Sequence, residues 1–450
     1  MKDNYVLSST LMTLVEGRKY NSIKDILLTM KPADIAEIFG AVPEPILPIL
    51  FRLLPQSLAA ETFSEMDLEQ QQTLIEAFSD RELRVVVNEL CADDAADLVD
   101  DMPASVVKRI LKQADPDMRR MINELLKYPE DTAGSIMTPE YVRLRPGVTV
   151  DEAIRIIRRT GLEKETINEC YITDDMSRLI GAVSIRTLLI SEGDVRMDAI
   201  MDEHAVSVEV KEDQEAVARM FDRYDLMVLP VVDAERHLVG IITVDDVLDV
   251  LKQETTEDME LMAAIMPSDR PYSRMSVIEL WKKRIPWLLI LMVSATVTGF
   301  IITSFEDALA VYVVLTAYIP MLMDTGGNSG SQASVMVIRA LSLQELEFED
   351  LWSVVWKEMR VALLCGGTLA AVNFAKLMLL DRVGSVVALV ICCTLVVTVF
   401  VAKITGCVLP MVAKKLGFDP AVMASPFITT IVDALSLLIY FQFAKMALGI

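Results

Sequence analysis

Histidine is nearly absent from this 450-residue chain, at two copies, and its six cysteines show no C-x-x-C spacing. Imidazole and thiolate build zinc and copper sites, so any metal here is expected to be held by oxygen. No disulfide framework is legible. Four of the cysteines (Cys365, Cys392, Cys393, Cys407) lie in an apolar half, where a free thiol acts as a small hydrophobe. Positive charge is also short, with 42 Lys+Arg against 65 Asp+Glu and a net charge of −23. Such a chain repels nucleic-acid phosphates, which excludes nucleic acid and favours cations as partners. The first twenty residues lack the uninterrupted apolar stretch and small-residue cleavage site of a signal peptide, so the first domain is expected to stay in the cytosol. A D-x-x-D-G run is missing as well, which argues against a lipid phosphotransferase and against an enzyme altogether.

What is present pulls in two directions. Residues are 53% hydrophobic and the mean hydropathy is +0.40 despite the acidity, so an acidic water-soluble portion is expected to be joined to a lipid-soluble one. Residues 1–132 read as short helices punctuated by proline, with Pro32 to Glu37 running to Pro43 and Asp93 to Leu98 running to Pro103. Repeated short amphipathic helices suggest a superhelical stack and a regulatory domain. Asp93 and Asp97 share one helical face, where they repel unless a cation lies between them; the other reading is a solvated acidic face.

Residues 133–253 contain a repeat of about 60 residues in β-α-β-β-α order. The first copy carries Glu169 to Thr173 and Leu179 to Ser184. The second carries Val228 to Asp233 and Leu238-Val239-Gly240-Ile241-Ile242-Thr243-Val244-Asp245-Asp246-Val247-Leu248. This resembles a tandem pair of CBS domains. The resemblance implies an adenine nucleotide, ATP, with Tyr171, Thr243 and Asp246 as its contacts; the acid that holds the ribose is kept in the second copy, while the first has Ser184 followed by Arg186. Residues 254–281 continue as an acidic connecting helix. Asp246, Asp249 and Glu257 fall at spacings that could share a flank, and a hydrophilic connector is the alternative.

From 282 to 450 the chain reads as a membrane domain. Ile285 to Phe305 runs 21 residues without a formal charge, enough at about 1.5 Å each to cross a roughly 30 Å hydrocarbon core. Four more stretches bring the expected count to five helices. Lys282, Lys283, Arg284, Arg339, Lys357, Arg360, Lys414 and Lys415 fall on one side, which makes the acidic N-terminal domains cytosolic and places the C-terminus outside.

Two features inside the spans carry chemistry. In Pro320-Met321-Leu322-Met323-Asp324-Thr325-Gly326-Gly327-Asn328-Ser329-Gly330-Ser331-Gln332-Ala333-Ser334, glycines and small polar residues replace bulky ones. Such a stretch lets helices approach closely or break beside a water-filled cavity. A small-residue helix contact would explain the glycines but not Asp324, Asn328 and Gln332. The second feature is Asp433, alone among apolar neighbours, where an Asp costs about 2.5–3.5 kcal/mol to insert. It is expected to meet a cation in a cavity, or else to pair with Lys403 or Lys376 for assembly.

With Ser425-Pro426-Phe427-Ile428-Thr429-Thr430-Ile431-Val432-Asp433, these motifs resemble the MgtE magnesium transporter/channel family over the whole chain. The resemblance implies a plug-like connecting helix and a homodimer in a bacterial-type inner membrane, with a pore on the two-fold axis. Two Asp433 would then face each other and hold hydrated Mg²⁺, helped by Thr429, Asn328, Ser425 and Asp324; Ser425 stands where some relatives have Asn. It further implies regulatory Mg²⁺ at Asp93, Asp97, Asp213, Glu215, Asp225, Asp246, Asp249, Glu254, Glu257, Asp258 and Asp419. Mg²⁺ bound there would shut the pore, giving negative feedback. The alternative is a CBS-regulated transporter of another divalent cation or solute.

Overall fold

A computed structural model describes residues 10–268, 272, 275–423 and 425–448; for Asp307, Ala308 and Ser425 it describes the backbone alone. The chain divides into two compact units, Met1–Leu251 and Lys252–Ile450.

The first unit opens with a winding stack of short helices. Each packs on the next but one: Pro32–Gly40 on Gln56–Ser64, that on Asp80–Glu89, and that on Ala104–Gln113. Their boundaries are written locally. Pro32 sits where its missing N–H costs nothing, Asp67 caps Leu68–Ala77 by accepting from the Gln70 N–H, and Ser79 and Glu82 form a capping box. Helix α1 (Ala92–Asp101) buries Ala92, Ala95, Ala96, Leu98 and Val99, half-buries Asp93 and leaves Asp94, Asp97, Asp100 and Asp101 exposed. It packs on Pro116–Leu125.

Two three-stranded sheets follow. In the first, β1 (Val142–Leu144) runs parallel to β2 (Glu169–Thr173), and β2 pairs antiparallel with β3 (Leu179–Ser184). In the second, β4 (Val208–Glu209), β5 (Val228–Val232) and β6 (Leu238–Thr243) repeat that order. The parallel pairs require helical crossovers, supplied by Val150–Thr160 and Gln214–Tyr224. The register irregularity falls at the corresponding place in each copy, Ile172/Thr173 and Val231/Val232, so the sequence repeat is a structural one. Helix α2 (Val244–Met262) leaves β6 directly and runs unbroken through 19 residues.

The second unit is helical. Its long elements are α3 (Val277–Ser304), α4 (Ile319–Ser342), α5 (Leu351–Leu379), α6 (Ser385–Lys415) and α7 (Ser425–Leu448). Helix α6 is the hub, packing against α4, α5 and α7. Among the described residues four helices are long and apolar enough to cross a membrane: Val277–Ser304, Phe348–Leu379, Ser385–Lys415 and Pro420–Leu448. The expected fifth, α4, has the length at 24 residues but not the apolarity, because its middle is the Asp324–Ser334 run. That run is also an unbroken helix, not the interrupted backbone that its glycines allowed.

Candidate functional site

Helix α4 has two faces with different jobs. A Cβ on Gly326 would lie 2.7 Å from Thr398 Cγ2 of α6 and 2.9 Å from Val432 Cγ1 of α7, and one on Gly330 would lie 2.7 Å from Ile428 Cγ2. A Cβ on Gly406 would overlap the Gly330 carbonyl. The glycines therefore seat α4 against its neighbours backbone to backbone. Asp324, Asn328 and Gln332, spaced by four, form an exposed polar stripe on another face. The small-residue contact and the polar stripe coexist on one helix.

Asp433 lies on α7, half-buried and within electrostatic reach of Asp324. The lysines considered as its partners are committed elsewhere: Lys403, buried, to Glu358 at 3.6 Å, and Lys376 to Asp381 at 2.9 Å. Asp433 has no ion pair among the described residues. One turn before it, the Thr429 hydroxyl donates to the Pro426 carbonyl at 2.9 Å, and a Cβ on Gly327 would meet the Thr429 methyl at 2.9 Å. Thr429, Asn328, Asp324 and Asp433 thus stand on two helices in contact. The Ser425 side chain lies outside the described residues.

The first unit holds a second acidic cluster. Asp93 and Asp97 come from α1, and Asp246 from the first turn of α2, where it accepts a 2.6 Å hydrogen bond from Thr243 Oγ1. Crowding by protein, and then the charge of Asp246, pushes Asp93 well above the ordinary 3.8 and Asp97 up to about 7. Crowding and the Glu165 charge push Asp94 up to about 7; crowding pushes Asp246 to about 6. Asp94 and Asp97 keep surface open to solvent yet stand in a cleft. Asp93 Oδ1 is closed off from solvent without a hydrogen-bond partner. Like charges this close want a divalent cation, and oxygen-only ligands suit a hard one.

Glu140 and Glu165 join this cluster, and sequence reading missed both. They sit in loops of the first repeat, tied by a 2.9 Å hydrogen bond from the Glu165 N–H to the Glu140 carbonyl, and no periodicity marks them. The remaining regulatory candidates take these places. Asp213 caps Gln214–Tyr224, accepting from the Glu215 and Ala216 N–H groups at 3.0 and 3.3 Å. Glu215 pairs with Arg219 at 2.9 Å. Asp249, Glu254, Glu257 and Asp258 all lie along α2, and Asp419 accepts from the Ala421 N–H at 2.7 Å.

A cavity of about 500 Å³ opens between the repeats, lined by Tyr171, Ser184, Thr187, Asp202, His204 and Asp225 among others. Of the nucleotide contacts expected, Tyr171 lines it. Thr243 and Asp246 do not; they bond to each other on the side of the acidic cluster. Asp246 stands in the first turn of α2, within electrostatic reach of Asp93 and Asp97.

Comparison with known proteins agrees with this layout. Residues 30–131 match the model of the MgtE intracellular N domain, 133–192 and 195–253 that of the CBS domain, and 319–443 that of MgtE, a divalent cation transporter. The magnesium transporter MgtE of Thermus thermophilus is 36% identical over 98% of both chains, and that of Bacillus subtilis 30% identical over 96% of both. A crystal structure of the cytosolic domain of the Mg²⁺ channel MgtE in complex with ATP is 36% identical, covering 54% of this chain and 99% of that one with a TM-score of 0.52. With all its domains matched in order and end to end, the chain belongs to the MgtE family of magnesium transporters, membrane proteins that are not enzymes.

Proposed function

We propose that this chain conducts Mg²⁺ into the cytosol through a pore that cytosolic Mg²⁺ closes. The observation that carries the reading is Asp433, an intramembrane acid without an ion pair among the described residues, beside Asp324 on a contacting helix. An acid in that setting is costly unless a cation or water meets it. The polar stripe of Asp324, Asn328 and Gln332 needs a cover, and a second copy across a two-fold axis supplies it with five spans per chain, α4 lining the pore. Mg²⁺ gives up water reluctantly, so paired Asp433 carboxylates with Thr429, Asn328, Asp324 and Ser425 would hold it hydrated.

Regulation rests on Asp93, Asp97 and Asp246. Mg²⁺ among them relieves repulsion in the arrangement described here and favours it over any state in which they part. Asp213, Glu215, Asp225, Asp249, Glu254, Glu257, Asp258 and Asp419 would add weaker sites along the acidic connecting helix and its neighbours, and several such sites make the response steep. The soluble domains face the cytosol and the C-terminus the outside. ATP, the ligand of the crystallised relative, would occupy the cavity at Tyr171. The test is Mg²⁺ flux in proteoliposomes. Asp433→Ala is expected to drop flux to background, and Mg²⁺ on the soluble-domain face to suppress wild-type flux. Wild type that carries no Mg²⁺ but carries another divalent ion overturns the assignment.

A further inference from the structure

Among the described residues two clusters bring a thiol or an imidazole to carboxylates: Asp233, Glu235 and His237, and the less exposed Cys91, Glu140 and Glu165. Cys91, Glu140 and Glu165 each offer one ligand atom, and all three atoms lie within 4.8 Å of one another. Cys91 stands at the N-cap of α1 with extended backbone and makes no capping bond with its side chain; its thiol is engaged with Glu165 instead. Glu140 Oε2 accepts the Ala92 N–H at 3.1 Å, which pins that carboxylate beside the thiol. The link between Glu140 and Glu165 fixes the two loops to each other. Glu165 Oε2 is shut off from solvent with no hydrogen-bond partner, as is Asp93 Oδ1 two residues along from the thiol.

We propose that Cys91, Glu140 and Glu165 form a site for a thiophilic divalent cation of the zinc or cobalt type, distinct in chemistry from the Mg²⁺ positions. One sulfur and two carboxylate oxygens are ligands that Zn²⁺ takes, leaving a fourth tetrahedral position for water or Asp93. Mg²⁺ prefers oxygen in octahedral array and keeps its waters, so a thiolate in the set discriminates against it. Burial first, and then Glu165 and the neighbouring carboxylates, push the Cys91 thiol up, so a binding cation must displace its proton. Cys91 belongs to the N-terminal helices and both glutamates to the first CBS repeat. An ion here fastens the two domains together, adding its binding free energy to their contact. The same joint that Asp93, Asp97 and Asp246 would close with Mg²⁺ thus gains a second, softer input.

The experiment is a Co²⁺ titration of the chelator-stripped full-length protein in detergent, with millimolar Mg²⁺ present throughout. A thiolate-to-cobalt charge-transfer band should appear in the near ultraviolet; the pore residues, all oxygen donors, cannot produce it. Cys91→Ser should abolish the band, and since Ser is a favoured N-cap this variant keeps its fold, checked by circular dichroism. Glu165→Gln should weaken Co²⁺ at least as much as the roughly tenfold that loss of an outer-shell partner costs. Zn²⁺ should protect Cys91 from alkylation, read by mass spectrometry of its peptide. No band, or a band that survives Cys91→Ser, overturns the site.

Discussion

Asp246 meets its acidic neighbours inside one unit of the chain, whereas the stripe of Asp324, Asn328 and Gln332 is exposed among the described residues of the helical unit. Both regions concentrate carboxylates, yet they solve the problem differently. In the first unit, tertiary contact brings Asp93, Asp94, Asp97, Glu165 and Asp246 together, and desolvation with mutual repulsion holds several carboxyls above their ordinary values. In the second, two acids on adjacent helices stand beside an open polar face. On the function proposed above, a regulatory site would be finished within a monomer, while a pore on a two-fold axis would be only half present in one.

The comparison breaks most readily at Lys403. Its partner Glu358 lies 3.6 Å away, and the lysine is 4% exposed. Glu358→Gln leaves a buried cation alone and should destabilise the helical unit by about 3–5 kcal/mol, seen as a lower Tm in detergent. If that variant stays stable, Lys403 has another acid available and the isolation of Asp433 must be questioned. Gly406→Ala should cost about 1–3 kcal/mol on the same measurement, because the added methyl overlaps the Gly330 carbonyl rather than a side chain that can turn aside. A neutral Gly406→Ala would show the α4–α6 seam to be looser than described.

In the first unit the effects are smaller and appear in regulation. Asp97→Asn should raise the cytosolic Mg²⁺ needed for half-inhibition of flux by about tenfold, or ~1.4 kcal/mol, while maximal flux holds. The raised carboxyls also set a pH dependence. Because Asp94 and Asp97 move from 3.8 to about 7, the folded chain keeps protons that the unfolded chain releases. Metal-free stability is therefore greatest below the ordinary value, declines as pH climbs through the folded value, and is level beyond it. Urea titrations at about pH 5 and about pH 8 should show lower stability at the higher pH, and saturating Mg²⁺ should remove the difference.

The sequence made some of this plain and hid the rest for identifiable reasons. The β-α-β-β-α repeat was legible because period-two runs alternate with helical ones, and Asp433 because charge in an apolar run is conspicuous. Asp93 and Asp97 could be paired from helical spacing, but Asp246 joins them only through packing, and Glu140 and Glu165 sit in loops that carry no period. Of the nucleotide contacts read from the motif, Tyr171 lines the cavity, while Thr243 and Asp246 bond to each other beside the acidic cluster, a placement that a local motif does not reveal. The span count faltered at α4, where the residues that make the helix interesting also make it polar.

The glycine seam between α4 and α6 has a mechanical consequence. Contacts made through side chains can be re-formed in another rotamer, so helices joined that way slide at little cost. Where Gly406 abuts the Gly330 carbonyl there is no rotamer to exchange, and the two helices form a single stiff beam. Any widening or narrowing along the polar face of α4 must then be produced by displacing that beam whole, the way a door moves on its frame, and not by bending the plank.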